Sequence, residues 1–159
     1  MNEKIEWLQV QDETLLPAAK ELILEYANSL SVDLCFQNFS EEMNSLLQKY
    51  GPPEGLLLLA RVNGEGAGCI ALRRISEDVC EMKRLYVREG FRGLGLGKRL
   101  VTRIIEEAKQ RDYSFIRLDT LPEMKSAQGL YEDLGFYDIN PYVYNPVEGV
   151  RYMELRLKP

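Results

Sequence analysis

The stretch with the clearest chemical potential is Arg88-Glu-Gly-Phe-Arg92-Gly93-Leu94-Gly95-Leu96-Gly97-Lys98-Arg99. Three glycines at alternate positions let the backbone bend so that several N–H groups point the same way. An apolar helical repeat follows at Leu96, Leu100, Val101, Ile104, Ile105 and Ala108. The bend therefore opens a helix, whose unpaired N–H groups and macrodipole favour an anion. Between Lys83 and Arg103 the chain carries seven basic residues and one acid, within a total net charge of −5. A pocket for a phosphorylated ligand is the chemistry this points to, a ligand-free glycine connection being the alternative. Spacing excludes a Walker loop, because Gly97-Lys98 is followed by Arg99 and preceded five residues back by Arg92. The even spacing of the glycines also excludes a dinucleotide fingerprint. With no histidine anywhere, proton transfer would fall to carboxylates and tyrosines.

The elements around the loop follow from periodicity. Ile5–Val10 alternates like a first strand, and Asp12 is placed to cap a helix with Leu15, Leu16, Ala19, Leu22, Ile23, Tyr26, Ala27 and Leu30 on one face. After an irregular link at 31–39, Ser40 starts a second helix that runs to Tyr50 and stops at Gly51-Pro52-Pro53. Leu56–Val62 and Ala67–Arg73 read as strands joined across Asn63-Gly64-Glu65-Gly66. A turn at 76–78 leads into Cys80–Val87. A turn centred on Glu77 sets Arg73 opposite Glu81, an ion pair expected to be partly solvated. The arginine would lower that carboxylate's pKa and burial would raise it. Beyond the loop helix, Phe115–Thr120 should run parallel to Cys80–Val87, because a helix joins the two. Pro122 opens another helix with Ala127, Leu130, Tyr131 and Leu134 inward, ended by Gly135, and two strands fill 136–157. This order is α+β: one mixed, mostly antiparallel sheet with a central parallel pair, flanked by about four helices.

At 159 residues, 45% apolar and 28% charged, the chain reads as one globular domain over 1–159. The negative net charge argues against nucleic acid, and no apolar run is long enough to span a membrane. Three cysteines, an odd number, and no signal-like N-terminus suggest a reducing cytoplasm; the lack of histidine argues against a metal. Cys69 and Cys80 fall on strands and read as packing residues rather than nucleophiles. A homodimer is left open.

From Glu81 to Phe136 the chain resembles the GNAT superfamily of acyl-coenzyme A-dependent N-acetyltransferases. Glu-Met-Lys-Arg-Leu-Tyr-Val, the glycine loop, Leu-Asp-Thr and Ala-x-x-x-Tyr-x-x-x-Gly-Phe stand in that family's order. The resemblance implies a fold in which the two parallel strands splay apart and the pantetheine arm of acetyl-coenzyme A adds like a strand. Acetyl-coenzyme A would be a co-substrate, with no metal. Its contacts would be Leu85, Tyr86, Val87, Arg92, Gly93, Leu94, Gly95, Leu96, Gly97, Lys98, Arg99, Thr120 and Ala127. Glu81 matches the strand glutamate that serves some members as base, and Tyr131 the tyrosine that protonates the coenzyme A sulfur. The other reading of Glu81 is a structural partner of Arg73, and of Tyr131 a packed helix residue. Met124 stands where the family often has an asparagine touching the pantetheine. By the same resemblance a small-molecule amine, possessing a carboxylate to suit the mixed charges, would meet Asp33, Phe36, Gln37, Arg73, Lys83, Arg84, Tyr142, Tyr144 and Asn145. The implied reaction is direct attack of a primary amine, of a small molecule or a peptide, on the thioester in a ternary complex. A non-catalytic acyl-coenzyme A-binding module is the alternative.

Overall fold

The computed structural model describes residues 4–30 and 39–159. Seven strands form one sheet in the order β1-β2-β3-β4-β5-β7-β6. They are β1 (Ile5–Gln9), β2 (Leu56–Val62), β3 (Glu65–Arg74), β4 (Val79–Val87), β5 (Phe115–Thr120), β6 (Tyr137–Asp138) and β7 (Arg151–Arg156). The β4–β5 pair is parallel and every other pair antiparallel. Among the described residues there are five α-helices: α1 (Leu16–Ser29), α2 (Phe39–Asn44), α3 (Leu46–Tyr50), α4 (Leu96–Gln110) and α5 (Lys125–Asp133).

Both faces of the sheet are covered, which is why β2 is apolar almost throughout. Leu56, Leu58 and Ala60 join Leu100, Val101, Ile104 and Ile105 of α4 in one core. Leu57 and Leu59, pointing the other way, pack with Ala19, Leu22 and Ile23 of α1 and Leu46 and Tyr50 of α3. Each fully buried Leu or Ile contributes about 1.5–3 kcal/mol. These two layers hold the central strands rigidly between them.

The β2–β3 connection is tighter than expected, a two-residue turn at Asn63 (φ 51) and Gly64 (φ 84). The helix expected over 40–50 is broken at Ser45, whose Oγ donates to the Glu41 carbonyl at 2.7 Å and whose φ is −142. Asp12 caps a turn rather than the helix, accepting from the Thr14 N–H at 2.9 Å, and α1 begins at Leu16 with Pro17 in its first turn. Similarly, α5 starts at Lys125, three residues past Pro122. In the tail only Tyr137–Asp138 and Arg151–Arg156 pair as strands, leaving 139–150 irregular.

The sheet's decisive irregularity is Arg84 in β4, a non-glycine residue at φ 61. Lys83 pairs with Ala71 and Tyr86 with Cys69, so Arg84 and Leu85 together oppose Ile70 as a bulge. The Arg84 guanidinium is buried and forked onto Glu42 of α2, Nε to Oε2 at 2.7 Å and a terminal nitrogen to Oε1 at 2.8 Å. Lys49 adds a contact to Oε1 at 2.9 Å. Burial opposes charge on Glu42, but Arg84 and Lys49 outweigh it and bring its pKa down to about 2, from 4.5. The pair therefore stabilises the fold fully above about pH 4.5, and that contribution is lost as pH falls towards 2. Glu42→Gln, which strands a buried guanidinium, is expected to cost about 3 kcal/mol in urea unfolding at pH 7. A loss under 1 kcal/mol would show that the pair does not hold this region together.

Candidate active site

The bulge at Arg84 separates β4 from β5. Their parallel pairing covers Val79–Phe115, Cys80–Ile116 and Glu81–Arg117, then stops, although both strands continue. In the gap lie two connected cavities. The outer groove, about 430 Å³, runs over Leu85, Tyr86, Val87 and Arg92 on one side and Ala127 and Leu130 of α5 on the other. The inner chamber, about 60 Å³, is lined among others by Lys83, Arg84, Asp119, Thr120, Tyr131 and Asn145. Tyr26, Leu85, Met124 and Ala127 line both, so the groove leads into the chamber.

The glycine loop stands at the outer end of the groove. A 3₁₀ turn at Glu89–Phe91 precedes it, and Gly95 (φ 72) is the N-cap of α4. Gly93 lies at φ 95, so both positions need left-handed backbone. A β-carbon at Gly93 or Gly95 would meet nothing within 4 Å, so an anion can approach the backbone closely there. The loop and groove thus fit a pyrophosphate followed by a narrow arm. Of the expected contacts, Leu85, Tyr86, Val87, Arg92, Gly97 and Ala127 line that path, with Thr120 farther in, while Leu96 is buried in the core.

The basic residues near the loop are not a single phosphate patch. Arg84 belongs to Glu42. Arg88 forks onto Glu25 of α1 at 2.7–3.1 Å and donates to the Gly66 carbonyl. Arg99 and Arg103 lie over the Trp7 ring, 5.2 and 5.5 Å from its centre. Arg92 donates to the Val87 carbonyl at 3.0 Å and lines the groove, and Lys98 is exposed at the loop. The helix start, with Arg92 and Lys98, is therefore what the loop offers an anion.

Tyr131 reaches the chamber from α5, buried and tilted against Phe136 with ring centres 5.6 Å apart. Burial pushes its phenol well up, so it holds its proton at neutral pH. Among the described residues its hydroxyl makes no hydrogen bond, which leaves it available to a ligand. Met124 lines both cavities, and the Thr120 hydroxyl points to its sulfur at 3.9 Å. Burial also pushes the Cys69 and Cys80 thiols up to about 12, so neither is a nucleophile at neutral pH.

Glu81 has two side-chain partners. Its register opposite Arg73 is the expected one. Arg73 Nε donates to Oε1 at 2.7 Å and the Tyr142 hydroxyl to Oε2 at 2.6 Å, however, so each carboxylate oxygen already has a partner. Glu81 is 1% exposed and does not line either cavity; only the Arg73 half of the pair reaches solvent. A carboxylate closed off in this way is a structural tie between β3, β4 and the tail.

Of the candidate acceptor residues, Lys83, Arg84 and Asn145 line the chamber. Burial lowers the pKa of Lys83. Arg73 and Tyr142 hold Glu81, and Tyr144 is 77% exposed. Asp33, Phe36 and Gln37 lie outside the described residues. Sequence reasoning passed over Tyr26, Glu42 and Asp119. For Asp119 a signal existed, since alternation along β5 sets it on the face opposite the buried Leu118 and Thr120.

Residues 20–136 match the family model described as the acetyltransferase (GNAT) family. The chain belongs to the GNAT acetyltransferase family. An uncharacterized N-acetyltransferase of Schizosaccharomyces pombe is 43% identical over 87% of this chain and 86% of its own length. N-acetylaspartate synthetase of Rattus norvegicus is 35% identical over 77% of this chain but only 42% of its own length. Among solved structures, a GNAT-family acetyltransferase of Staphylococcus aureus superposes with TM-score 0.81 at 23% identity, covering 98% of this chain and all of that one. A GNAT acetyltransferase of Elizabethkingia anophelis with acetyl-CoA bound gives 0.70 at 22% identity, covering 96% and 98%. At these identities the structural likeness speaks for the fold. The splayed β4–β5 pair and the glycine loop are thus the GNAT architecture in this chain. Among the described residues no helix is long and apolar enough to cross a membrane.

Gly95→Val would place a branched side chain at φ 72 and in the open approach to the loop. Coenzyme A affinity, measured by calorimetry on the folded variant, is expected to fall at least tenfold. Unchanged affinity would remove the loop from the binding site.

Proposed function

We propose that this GNAT acetyltransferase moves the acetyl group of acetyl-coenzyme A to the primary amine of a small, amino-acid-like acceptor. The observation that carries the proposal is the groove that runs from the glycine loop into a chamber beside Tyr131. The pyrophosphate would rest on the 94–99 amides, the arm along Leu85–Val87, and the thioester at the chamber mouth near Leu85 and Ala127. An N–H of β4 aimed at the acyl oxygen contributes a few kcal/mol in such sites. The bound acetyl-CoA of a structural relative supports this choice of donor.

Direct attack is the route these residues favour. The buried Cys69 and Cys80 thiols are protonated, so neither forms an acyl-cysteine, and the chamber holds a neutral phenol beside the expected leaving sulfur. Tyr131 gives its proton to that sulfur as the carbon–sulfur bond breaks. The acceptor class rests on the small chamber volume, on Lys83 at its wall, and on the likeness to a synthetase of N-acetylaspartate. A cation at the wall suits an acceptor carboxylate, and a chamber of about 60 Å³ favours a small amine.

Free-thiol release from acetyl-coenzyme A should be measured with amino acids, polyamines, aminoglycosides and peptide N-termini. Free amino acids are expected to give the highest kcat/KM, and their amides at least tenfold less. Preference for polyamines or aminoglycosides would overturn the acceptor assignment. Tyr131→Phe is expected to lower kcat by roughly 10²-fold with coenzyme A affinity near the parent value. Turnover within a few-fold of the parent, with chemistry rate-limiting, would exclude Tyr131 as the acid.

A further inference from the structure

Three acidic side chains lie on or against β4 and β5, and of the three only Asp119 lines the chamber. Glu42 is saturated by Arg84 and Lys49. Glu81 is saturated by Arg73 and Tyr142. Asp119 is half-buried, lines the chamber with Tyr131, and has one oxygen held by the Asn145 amide at 3.2 Å. Its other oxygen accepts no hydrogen bond among the described residues. Asn145 sits in the irregular tail, where its side-chain oxygen accepts from the Val147 N–H at 3.0 Å in a local turn. That turn fixes the amide, which in turn fixes the rotation of the Asp119 carboxylate.

We propose that Asp119 is the proton acceptor for the attacking amine, oriented by Asn145 and working across the chamber from Tyr131. This rests on the acetyl transfer proposed above. A neutral amine forms the nitrogen–carbon bond to the acyl carbon, and the proton it sheds passes to the open oxygen of Asp119. The carbon–sulfur bond breaks, and the sulfur takes the Tyr131 proton. Asp119 then returns its proton to the Tyr131 phenolate, so both groups end as they began. An acceptor that arrives as an ammonium first releases one proton to solvent.

The surroundings suit this division of labour. Lys83 and Arg84 of β4 face the chamber, with Tyr26 from α1 and Tyr131 from α5, while Tyr142 and Tyr152 approach Asp119 from the tail and β7. Burial raises all four phenols, so none competes with Asp119 as a base at neutral pH. The negative charge of Asp119 adds to that rise.

The test measures thiol release with an amino-acid acceptor for the parent enzyme, Asp119→Asn, Asp119→Ala, Glu81→Gln and Asp33→Asn, with coenzyme A binding and thermal unfolding as folding controls. Asp119→Asn is expected to lose at least about 10²-fold in kcat/KM while binding coenzyme A like the parent. Sodium formate should raise the Asp119→Ala rate in proportion to its concentration, and sodium chloride at equal ionic strength should not. A merely structural role for Asp119 would show no such rescue. Asp119→Asn within a few-fold of the parent overturns the assignment. So does formate raising Asp119→Ala no more than the parent, or the 10²-fold loss appearing in Glu81→Gln or Asp33→Asn instead. A parent that releases no thiol with any amine overturns the acetyl transfer itself, and the role of Asp119 with it.

Discussion

A buried ion pair governs this structure. Arg84 interrupts β4 at a left-handed φ that costs about 1–3 kcal/mol for a residue with a side chain. The guanidinium is held by two short hydrogen bonds to Glu42 and lies near the Tyr26 and Phe39 rings. Burying either charge alone would be far more costly, so the two must stay together. By staying together they fix α2 to β4, keep the bulge in place and stop β4 from continuing its ladder with β5. The groove and chamber exist because that ladder ends. Strain at one residue is thus coupled to an open cavity between two strands.

Most of the other charges near the site are likewise ties between elements. Arg88 joins the end of β4 to α1 through Glu25, and Glu81 joins β3, β4 and the tail through Arg73 and Tyr142. Arg99 and Arg103 cover Trp7 of β1 from α4. What remains for an anion is the backbone at the start of α4, together with Arg92 and Lys98. Those N–H groups are fixed by the loop and need no side-chain reorganisation when a ligand arrives. This arrangement suits a chain whose net charge is −5.

Inside the chamber, burial decides which groups hold protons. It raises the phenols of Tyr26 and Tyr131 and lowers the ammonium of Lys83, in each case by penalising charge. The two phenols therefore hold their protons at neutral pH. Away from the chamber, burial likewise keeps the Cys69 and Cys80 thiols protonated. In the proposed mechanism Asp119 supplies the one open acceptor oxygen, and the Asn145 amide keeps it turned towards the substrate.

The sequence alone determined the features with local periodicity or local turn chemistry. The α4 repeat, the Asn63-Gly64 turn, the β4-helix-β5 crossover and the glycine loop could be read because each depends on residues a few positions apart. So could the Arg73–Glu81 register, since one short turn sets it. The break at Ser45, the two-residue β6 and the later start of α5 escaped it, because side-chain bonds and packing overrode propensity there. The division of the acids between structure and chemistry was likewise decided by the tertiary fold. Glu42 and Arg84 lie 42 positions apart, Glu81 and Tyr142 61, and Asp119 and Asn145 26. Whether a carboxylate is saturated or open depends on which distant donors the packed sheet brings to it, and no spacing within one segment encodes that.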